Sequence, residues 1–584
     1  MSRGVDGGEL DPRRDLASPR PLRVALPILL AGDLVLTSEH LGPAYLAAVL
    51  RRAGARVAID EATAATLDAL VDRIAAFAPD IVGISLTMVS TDDARAFGRA
   101  LRARLGRGTF IVLGGPVATY LGSDLFGAGF DFADMLIRGE GEVPLLRLCE
   151  AIQGGGRLDG VPNACFRSAE GIVETKVVPG VADLDALPFP ARDQLERHGR
   201  FSYLRVSTSR GCTAHCTFCN APHTRNRIVP GIKPWRGCSA RRVVDEVEHL
   251  VATYGANTFD FVDSTFEDPG GGRIGKARVR AIAEEILSRG LDIYYNVCMQ
   301  ARNWGAADRD LIALLRRSGL EKVLIGIESG SADGLARWQK MSTVAENETA
   351  IAVLREAGIY VAFGFIMFHP WSSFAEIREN QDFLARNLGQ NLRRFTTRLE
   401  LYPGAEVVDQ LEAEGLLLPG FRDSLNPFAY RYRDPRIERF ASLVNGLYGS
   451  PYQDRGAIAA EPAVFRFETY DIVLHNFISR LKRLYGEEPR AGAILDEFDA
   501  AAAGHFAELA LYNRALLGHL TDLAERDRLD AAAVASHVEP TELLFRNIMT
   551  SLDRLKLLYG RQLRKAGYDL SPISTASPPR AMAG

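Results

Sequence analysis

Between Leu22 and Tyr402 the sequence repeats one pattern: a short apolar, β-branched run, then a stretch with helical periodicity, then another such run. This alternation constrains the fold strongly, because parallel neighbours in a sheet need a crossover and a helix is the usual one. The pattern comes in two blocks. In the first, Leu22–Leu30, Val57–Asp60, Asp80–Ser85, Thr109–Leu113 and the shorter Met135–Arg138 read as strands, with helices over Gly42–Ala53, Thr66–Phe77 and Asp92–Leu105. Ile81–Ile84 shows no polar alternation, as in a strand covered on both faces. Residues 21–150 are therefore expected to form a doubly wound, flavodoxin- or Rossmann-like parallel sheet, with any ligand at the carboxyl ends of its strands.

In the second block, residues 201–404, strands are read at 203–208, 258–262, 291–299, 322–327, 360–367 and 395–402, separated by helical stretches. Six such units predict a partial (β/α)6 barrel whose chemistry sits at the strand ends. Residues 151–200 form a linker rich in Gly and Pro, with a small hairpin around Ala164–Arg167 and Ile172–Val178. Beyond 404 the strands stop. Glu406–Glu414, Val464–Tyr485, Ala491–Leu517 and Thr541–Lys565 read as helices, making 405–570 an α-helical region expected to cap the barrel mouth. Residues 1–20 and 571–584 read as a disordered arm and tail.

Lys plus Arg (69) against Asp plus Glu (73) leaves a formal net charge of −4, so electrostatics give no reason to expect nucleic acid as a partner. No apolar run reaches the roughly 18–20 residues that span a bilayer, and no membrane is expected as a partner. Seven cysteines, with three in one cluster, suit a reducing cytoplasm better than a disulfide framework.

That cluster is Cys212, Cys216 and Cys219, spaced C-x3-C-x2-C on a loop leaving the first strand of the second block. Thiolates this close can converge on one soft metal centre. Read alone, the triplet permits a zinc site completed by His215 or His223. It also permits a four-iron cluster with one iron free of cysteine. The strand–helix repeat that follows is not that of a zinc ribbon.

With Phe218 before the last cysteine, the motif resembles the signature of the radical S-adenosylmethionine enzymes. The resemblance implies a 4Fe-4S cluster on the three thiolates. S-adenosylmethionine would chelate the fourth iron and be cleaved reductively to a 5′-deoxyadenosyl radical. It further implies contacts from Asp263 and Thr265 to the amino group of S-adenosylmethionine and from Arg302 to its ribose or carboxylate. Gly326 and Glu328, in Gly326-Ile327-Glu328-Ser329-Gly330, would meet its adenosine. His369 and Cys298 are candidates for facing substrate.

The first block resembles the cobalamin-binding domain of one large subclass, through Leu41-Gly42-Pro43, Val112-Leu113-Gly114-Gly115-Pro116 and Arg138-Gly139-Glu140-Gly141-Glu142. Gly42, Gly114, Gly115, Gly139 and Glu140 are the implied cobalamin contacts. The D-x-H-x-x-G motif is absent: near His40, Ser38 and Pro43 stand in place of the Asp and Gly. His40 reads as a loop residue, with the lower face of cobalt water-bound or unligated.

Together the two resemblances imply methylation of an unactivated carbon in a small-molecule or peptide intermediate of specialised biosynthesis, with a flavodoxin- or ferredoxin-type electron donor. A non-methylating radical rearrangement is the alternative, and a non-catalytic cobalamin or iron–sulfur sensor a more distant one.

Overall fold

The computed structural model describes residues 16, 20–30, 39–155, 157–199, 201, 203–223, 228–267, 272–448 and 462–571. The arm expected over 1–20 and the tail expected over 571–584 lie almost wholly outside them.

The first sheet has seven strands in the order β2-β1-β3-β4-β5-β6-β7. β1 (Arg23–Leu29), β2 (Arg56–Ala62), β3 (Ile81–Ser85), β4 (Phe110–Gly114) and β5 (Met135–Ile137) run parallel. The order reverses between β1 and β3, which opens a crevice at their carboxyl ends. The hairpin expected in the linker is β6 (Ala164–Ser168) and β7 (Gly171–Glu174); β6 pairs antiparallel with β5 and extends this sheet. Packing on both faces follows from the sequence pattern. Helix Leu41–Arg52 buries Pro43, Ala44, Tyr45, Ala47, Val49 and Leu50 on one side, and helix Thr91–Leu105 buries Ala94, Phe97 and Leu101 on the other.

The second sheet is parallel in the order β8-β11-β12-β13-β14: Leu204–Val206, Thr258–Phe261, Tyr294–Met299, Leu320–Glu328 and Tyr360–Phe365. β9 (Ser209–Gly211) and β10 (Trp235–Gly237) form a small antiparallel pair beside it. Side-chain caps fix where the crossover helices begin: Ser239 accepts the Arg242 N–H, Ser373 accepts that of Glu376, and Thr343 forms a capping box with Glu346. The sixth strand position is filled differently from the expectation. β14 ends at Phe365, and the segment after Phe395 meets it through one parallel bridge, Phe368 to Arg398. Thr397 O accepts the Phe368 N–H and Phe368 O accepts the Leu399 N–H, so the position is held without a ladder.

Among the described residues the helical region contains the four expected helices, Glu406–Ala413, Ala463–Tyr485, Pro489–Glu525 and Val538–Lys565, and three unforeseen ones, Gly420–Ser424, Pro435–Tyr448 and Ala531–Ala535. Its first helix, Glu406–Ala413, abuts the cysteine loop at the barrel mouth, where the Val407 N–H donates to Thr217 O (2.9 Å), and the later helices lie elsewhere. Arg480 makes a two-pronged pair with Glu321 (2.7 and 2.8 Å) at the start of β13, and the Asp471 carboxylate accepts the Tyr360 hydroxyl (2.9 Å) at the start of β14. The helices after residue 462 therefore cover the amino ends of the strands.

A buried charge triad joins the two sheets. Arg192, in the linker, donates to Glu39 (2.7 Å) and to Glu246 on the first barrel helix (2.7 Å), and all three side chains are at most 4% exposed. Arg192→Met would leave Glu39 buried without its cation, while Glu246 keeps Arg242 (3.0 Å). It is expected to destabilise the fold by about 3–5 kcal/mol, read as a lower urea midpoint in the first unfolding transition.

Candidate functional site

The chain turns sharply after β8. Asp263 accepts the backbone N–H groups of Thr208 and Ser209 (both 2.8 Å) and the Thr208 hydroxyl, pinning the strand end. Gly211 then adopts φ +91°, where a Cβ would lie 2.2 Å from Pro234 O. This turn delivers Cys212, Cys216 and Cys219 to one wall of a cavity of about 240 Å³. The opposite wall comes from the ends of β12, β13 and β14, through Cys298, Gln300, Gly326, Glu328 and Gly364, with Lys340 and Ser342 closing the side. The loop is braced from behind. Thr217 donates to Trp338 O (3.2 Å) and Arg337 O (3.1 Å), and Phe218 meets the Trp338 ring edge-on at 5.9 Å.

Burial pushes the Cys216 thiol up to about 11 and raises Cys219. Gln300 Nε2 donates to Cys212 Sγ (3.4 Å) and is oriented by Arg302 Nε, which donates to Gln300 Oε1 (3.2 Å). Glu328 takes φ +68°, a strained state for a non-glycine residue. Its carboxylate lies over the paired Gly326 and Gly364, where a Cβ would come within 3.0 and 3.1 Å of it. Lys340 Nζ stands 3.9 Å away. Burial raises the Glu328 carboxyl above its ordinary range.

A second cavity, about 430 Å³, lies in the crevice at the carboxyl ends of the first sheet. Gly42, Gly114, Gly115, Gly139 and Glu140 line it, and Ser207, Arg210 and Val262 close it from the barrel side. A Cβ at Gly42 would meet nothing within 4 Å, and one at Gly114 only Ile137 O at 4.0 Å, so these glycines leave open volume. Arg210 pairs with Glu142 (2.7 Å) and Glu140 (3.3 Å) and lies over the Tyr45 ring at 5.2 Å. Arg236 also pairs with Glu140. Despite its burial, Glu140 is held below the usual carboxylate range by Arg210 and Arg236.

Residues 29–148 match the family model of the B12 binding domain, and residues 206–384 that of the radical SAM superfamily. This chain is a cobalamin-dependent radical S-adenosylmethionine enzyme. Its sequence is 26% identical to the Pyrococcus horikoshii protein named uncharacterized methyltransferase PH0819, over 77% of this chain and 94% of that one. It is 25% identical to the hopanoid C-3 methylase of Methylococcus capsulatus, over 59% of this chain and 64% of the methylase. The fold resembles that of the cobalamin-dependent S-adenosylmethionine radical enzyme OxsB, with a TM-score of 0.63, 17% identity, and 91% and 84% of the two chains covered.

The residues present fit these cofactors. Cys212, Cys216 and Cys219 line one wall of the cavity, and Ser342 Oγ is buried on its side with no hydrogen-bond partner, as suits a polar ligand. The glycine cradle of the second cavity suits the close approach of a ligand to backbone. Phe218, Arg302, Gly326 and Glu328 all line the cysteine cavity.

The reading of Asp263 and Thr265 is corrected. Asp263 is spent on the 208–209 backbone, and Thr265 is fully buried with its hydroxyl directed at Glu267 O, so neither side chain lines the cavity; Ser264 between them does. His369 is also turned away, packed against Trp338 and hydrogen-bonded to Glu376. His40 does not line the glycine cavity, and His215 is exposed outside the cysteine cavity. The side chain of His223 lies outside the described residues. Sequence reasoning left Arg210 without a role although it stands two residues before the cysteine motif, and gave no signal for Lys340 or Ser342.

Two glycine substitutions separate fold from cavity. Gly115→Ala would hold a Cβ at φ +85°, 2.7 Å from Ser85 Oγ and 2.9 Å from Leu86 O, and is expected to destabilise the sheet by about 1–3 kcal/mol. Gly42→Ala is expected to leave the urea midpoint unchanged while weakening cobalamin retention about tenfold, equivalent to about 1.4 kcal/mol, as measured by equilibrium dialysis.

Proposed function

We propose that this enzyme transfers a methyl group to an unactivated carbon of a small-molecule or peptide intermediate in specialised biosynthesis. One observation carries the reading: both cavities open on the same short stretch of chain. Ser207 and Arg210 face the glycine-lined cavity, and Cys212 faces the cysteine-lined one. The methyltransferase and methylase names of the two relatives support it.

Bound there, cobalamin supplies a methyl carrier, and the cluster with S-adenosylmethionine supplies a carbon-centred radical that removes hydrogen. The protein positions these and excludes water. Cys212, Cys216 and Cys219 hold the cluster, with Gln300 donating a hydrogen bond to one of the ligating sulfurs. Glu328, Lys340 and Arg302 present charge to the polar parts of S-adenosylmethionine. Arg210 fixes the cluster loop against Glu140 and Glu142 at the mouth of the other cavity. Leu324 and Met341 remain 41% and 54% exposed on the wall of the cysteine cavity, an apolar surface for the body of the substrate. Electrons come from an external flavodoxin- or ferredoxin-type donor, and the cytoplasm is the compartment that keeps these thiols reduced. No helix among the described residues is long and apolar enough to cross a membrane.

The test needs no substrate. Protein reconstituted anaerobically with iron, sulfide and cobalamin is reduced and given S-adenosylmethionine labelled in its methyl group. S-adenosylhomocysteine and labelled cobalamin are expected. Formation of 5′-deoxyadenosine with neither product would replace methyl transfer by a rearrangement chemistry, and zinc in place of iron would overturn the cluster assignment. Cys→Ala at 212, 216 or 219 is expected to abolish 5′-deoxyadenosine formation and leave cobalamin retention intact, both read on the same samples by chromatography.

A further inference from the structure

At the amino ends of β12–β14, opposite both cofactor cavities, the helices Ala463–Tyr485 and Pro489–Glu525 enclose a cleft of about 1000 Å³ against the barrel. Its floor is apolar, through Leu388, Leu474, Ile478, Phe498 and Phe506. Its polar wall is unusual in what is left unpaired.

Several of its charges are already neutralised. Lys482 is held by Asp499 (2.6 Å), Arg483 by Asp292 (3.3 Å), and Glu356 by Arg309 (2.8 Å). Asp471 accepts the Tyr360 hydroxyl (2.9 Å), and Glu487 stands exposed at the rim. Without an ion-pair partner among the described residues stand Arg316, Arg317 and Arg355 against Asp471 and Glu487, so the balance is positive. Arg316 donates through Nη2 to Ser479 O (2.7 Å) and Oγ (2.5 Å) but leaves Nη1 buried with no acceptor. His475 Nε2, on the facing helix, is likewise buried without a partner. Among the described residues the guanidinium groups of Arg355 and Arg317, which also line the cleft, make no hydrogen bond or ion pair.

These groups act on one another. Burial and then the charge on Arg316 push His475 down to about 4, and burial with the neighbouring Arg483 lowers Arg316. A buried donor without an acceptor, as at Arg316 Nη1, destabilises a fold unless something accepts from it. Phosphate does so well, since a guanidinium meets it with parallel N–H donors and charge-assisted bonds.

We propose that this cleft is a second ligand site, which takes the phosphate group of a phosphorylated small molecule against Arg316 and Arg355 and lays an apolar portion on the Leu474–Phe498 floor. It lies at the end of the barrel that bears no cysteine, so its ligand is not the molecule undergoing methyl transfer.

The test is isothermal titration of the anaerobic holoenzyme with inorganic phosphate and with phenyl phosphate, in a chloride buffer. One saturable site per chain is expected for phenyl phosphate, with inorganic phosphate weaker. Arg316→Gln, which retains a donor for Ser479, and Arg355→Gln, which removes no contact, are each expected to weaken binding about tenfold or more, the worth of one charge-assisted hydrogen bond. Arg561→Gln, on an exposed turn of another helix, is expected to change nothing. Absence of saturable binding by phenyl phosphate, or unchanged affinity in both cleft variants, would overturn the proposal. So would displacement of phenyl phosphate by saturating S-adenosylmethionine, which would place the phosphate in the cysteine cavity.

Discussion

The geometry of the two cofactor cavities depends on one buried guanidinium. Arg210 stands two residues before the first cluster cysteine and pairs with Glu140 and Glu142 at the carboxyl end of the first sheet. Taking three charges out of water is unfavourable by several kcal/mol per ion unless geometry and hydrogen bonds compensate. Here the compensation is extensive: Arg236 supplies a second cation to Glu140, the Val181 N–H donates to it, and the Tyr45 ring covers Arg210. Such a cluster tolerates little displacement. A shift between sheet and barrel that lengthened these bonds would strand charge in a low-dielectric interior, so the cluster loop and the glycine cradle move together or not at all.

The same economy explains the linker. Residues 151–200 are not a tether. β6 and β7 extend the first sheet, and Arg192 then reaches back to Glu39 and across to Glu246. Glu39 also accepts the backbone N–H of Arg205 (3.0 Å), at the start of the strand that leads to the cysteines. The path from helix Leu41–Arg52, through Glu39, to β8 is therefore hydrogen-bonded throughout, and it runs beside the glycine-lined cavity. A polar interface of this kind sets orientation more than it adds stability.

Local periodicity made most elements legible, because strand and helix runs carry their own signal. The helix Pro435–Tyr448 was legible too: Ile437, Phe440, Ala441 and Val444 are buried at helical spacing, yet it went unread. The sixth barrel strand failed for a different reason. Thr396 to Leu401 alternates like a strand, but the chain turns away after Phe365 and leaves only Phe368 to pair with it. Cysteine spacing placed three residues of the site, and strand-end position placed Glu328 and Arg302 beside them. Position along the strand also suggested Asp263, whose carboxylate is instead consumed by the backbone 55 residues earlier, at Thr208. Arg210 and Lys340 depend on partners distant in the chain, which no local pattern reveals.

The barrel divides its labour by strand polarity. In a parallel sheet every strand presents its carboxyl end to one side, and both cofactor cavities are there. The amino ends would otherwise expose the starts of β12 to β14 to solvent, and the helices after residue 462 cover them. Arg480 satisfies the buried Glu321, and Arg483 donates to Ile293 O (2.9 Å) just before β12. That cover uses arginine throughout, and arginines brought to a closed surface repel unless each finds an acceptor. Glu321 and Asp292 meet Arg480 and Arg483, but nothing among the described residues meets Arg316 Nη1. The excess positive charge on this face is thus a consequence of how the barrel's non-catalytic end is closed, and it is this excess that makes the cleft a place for an anion.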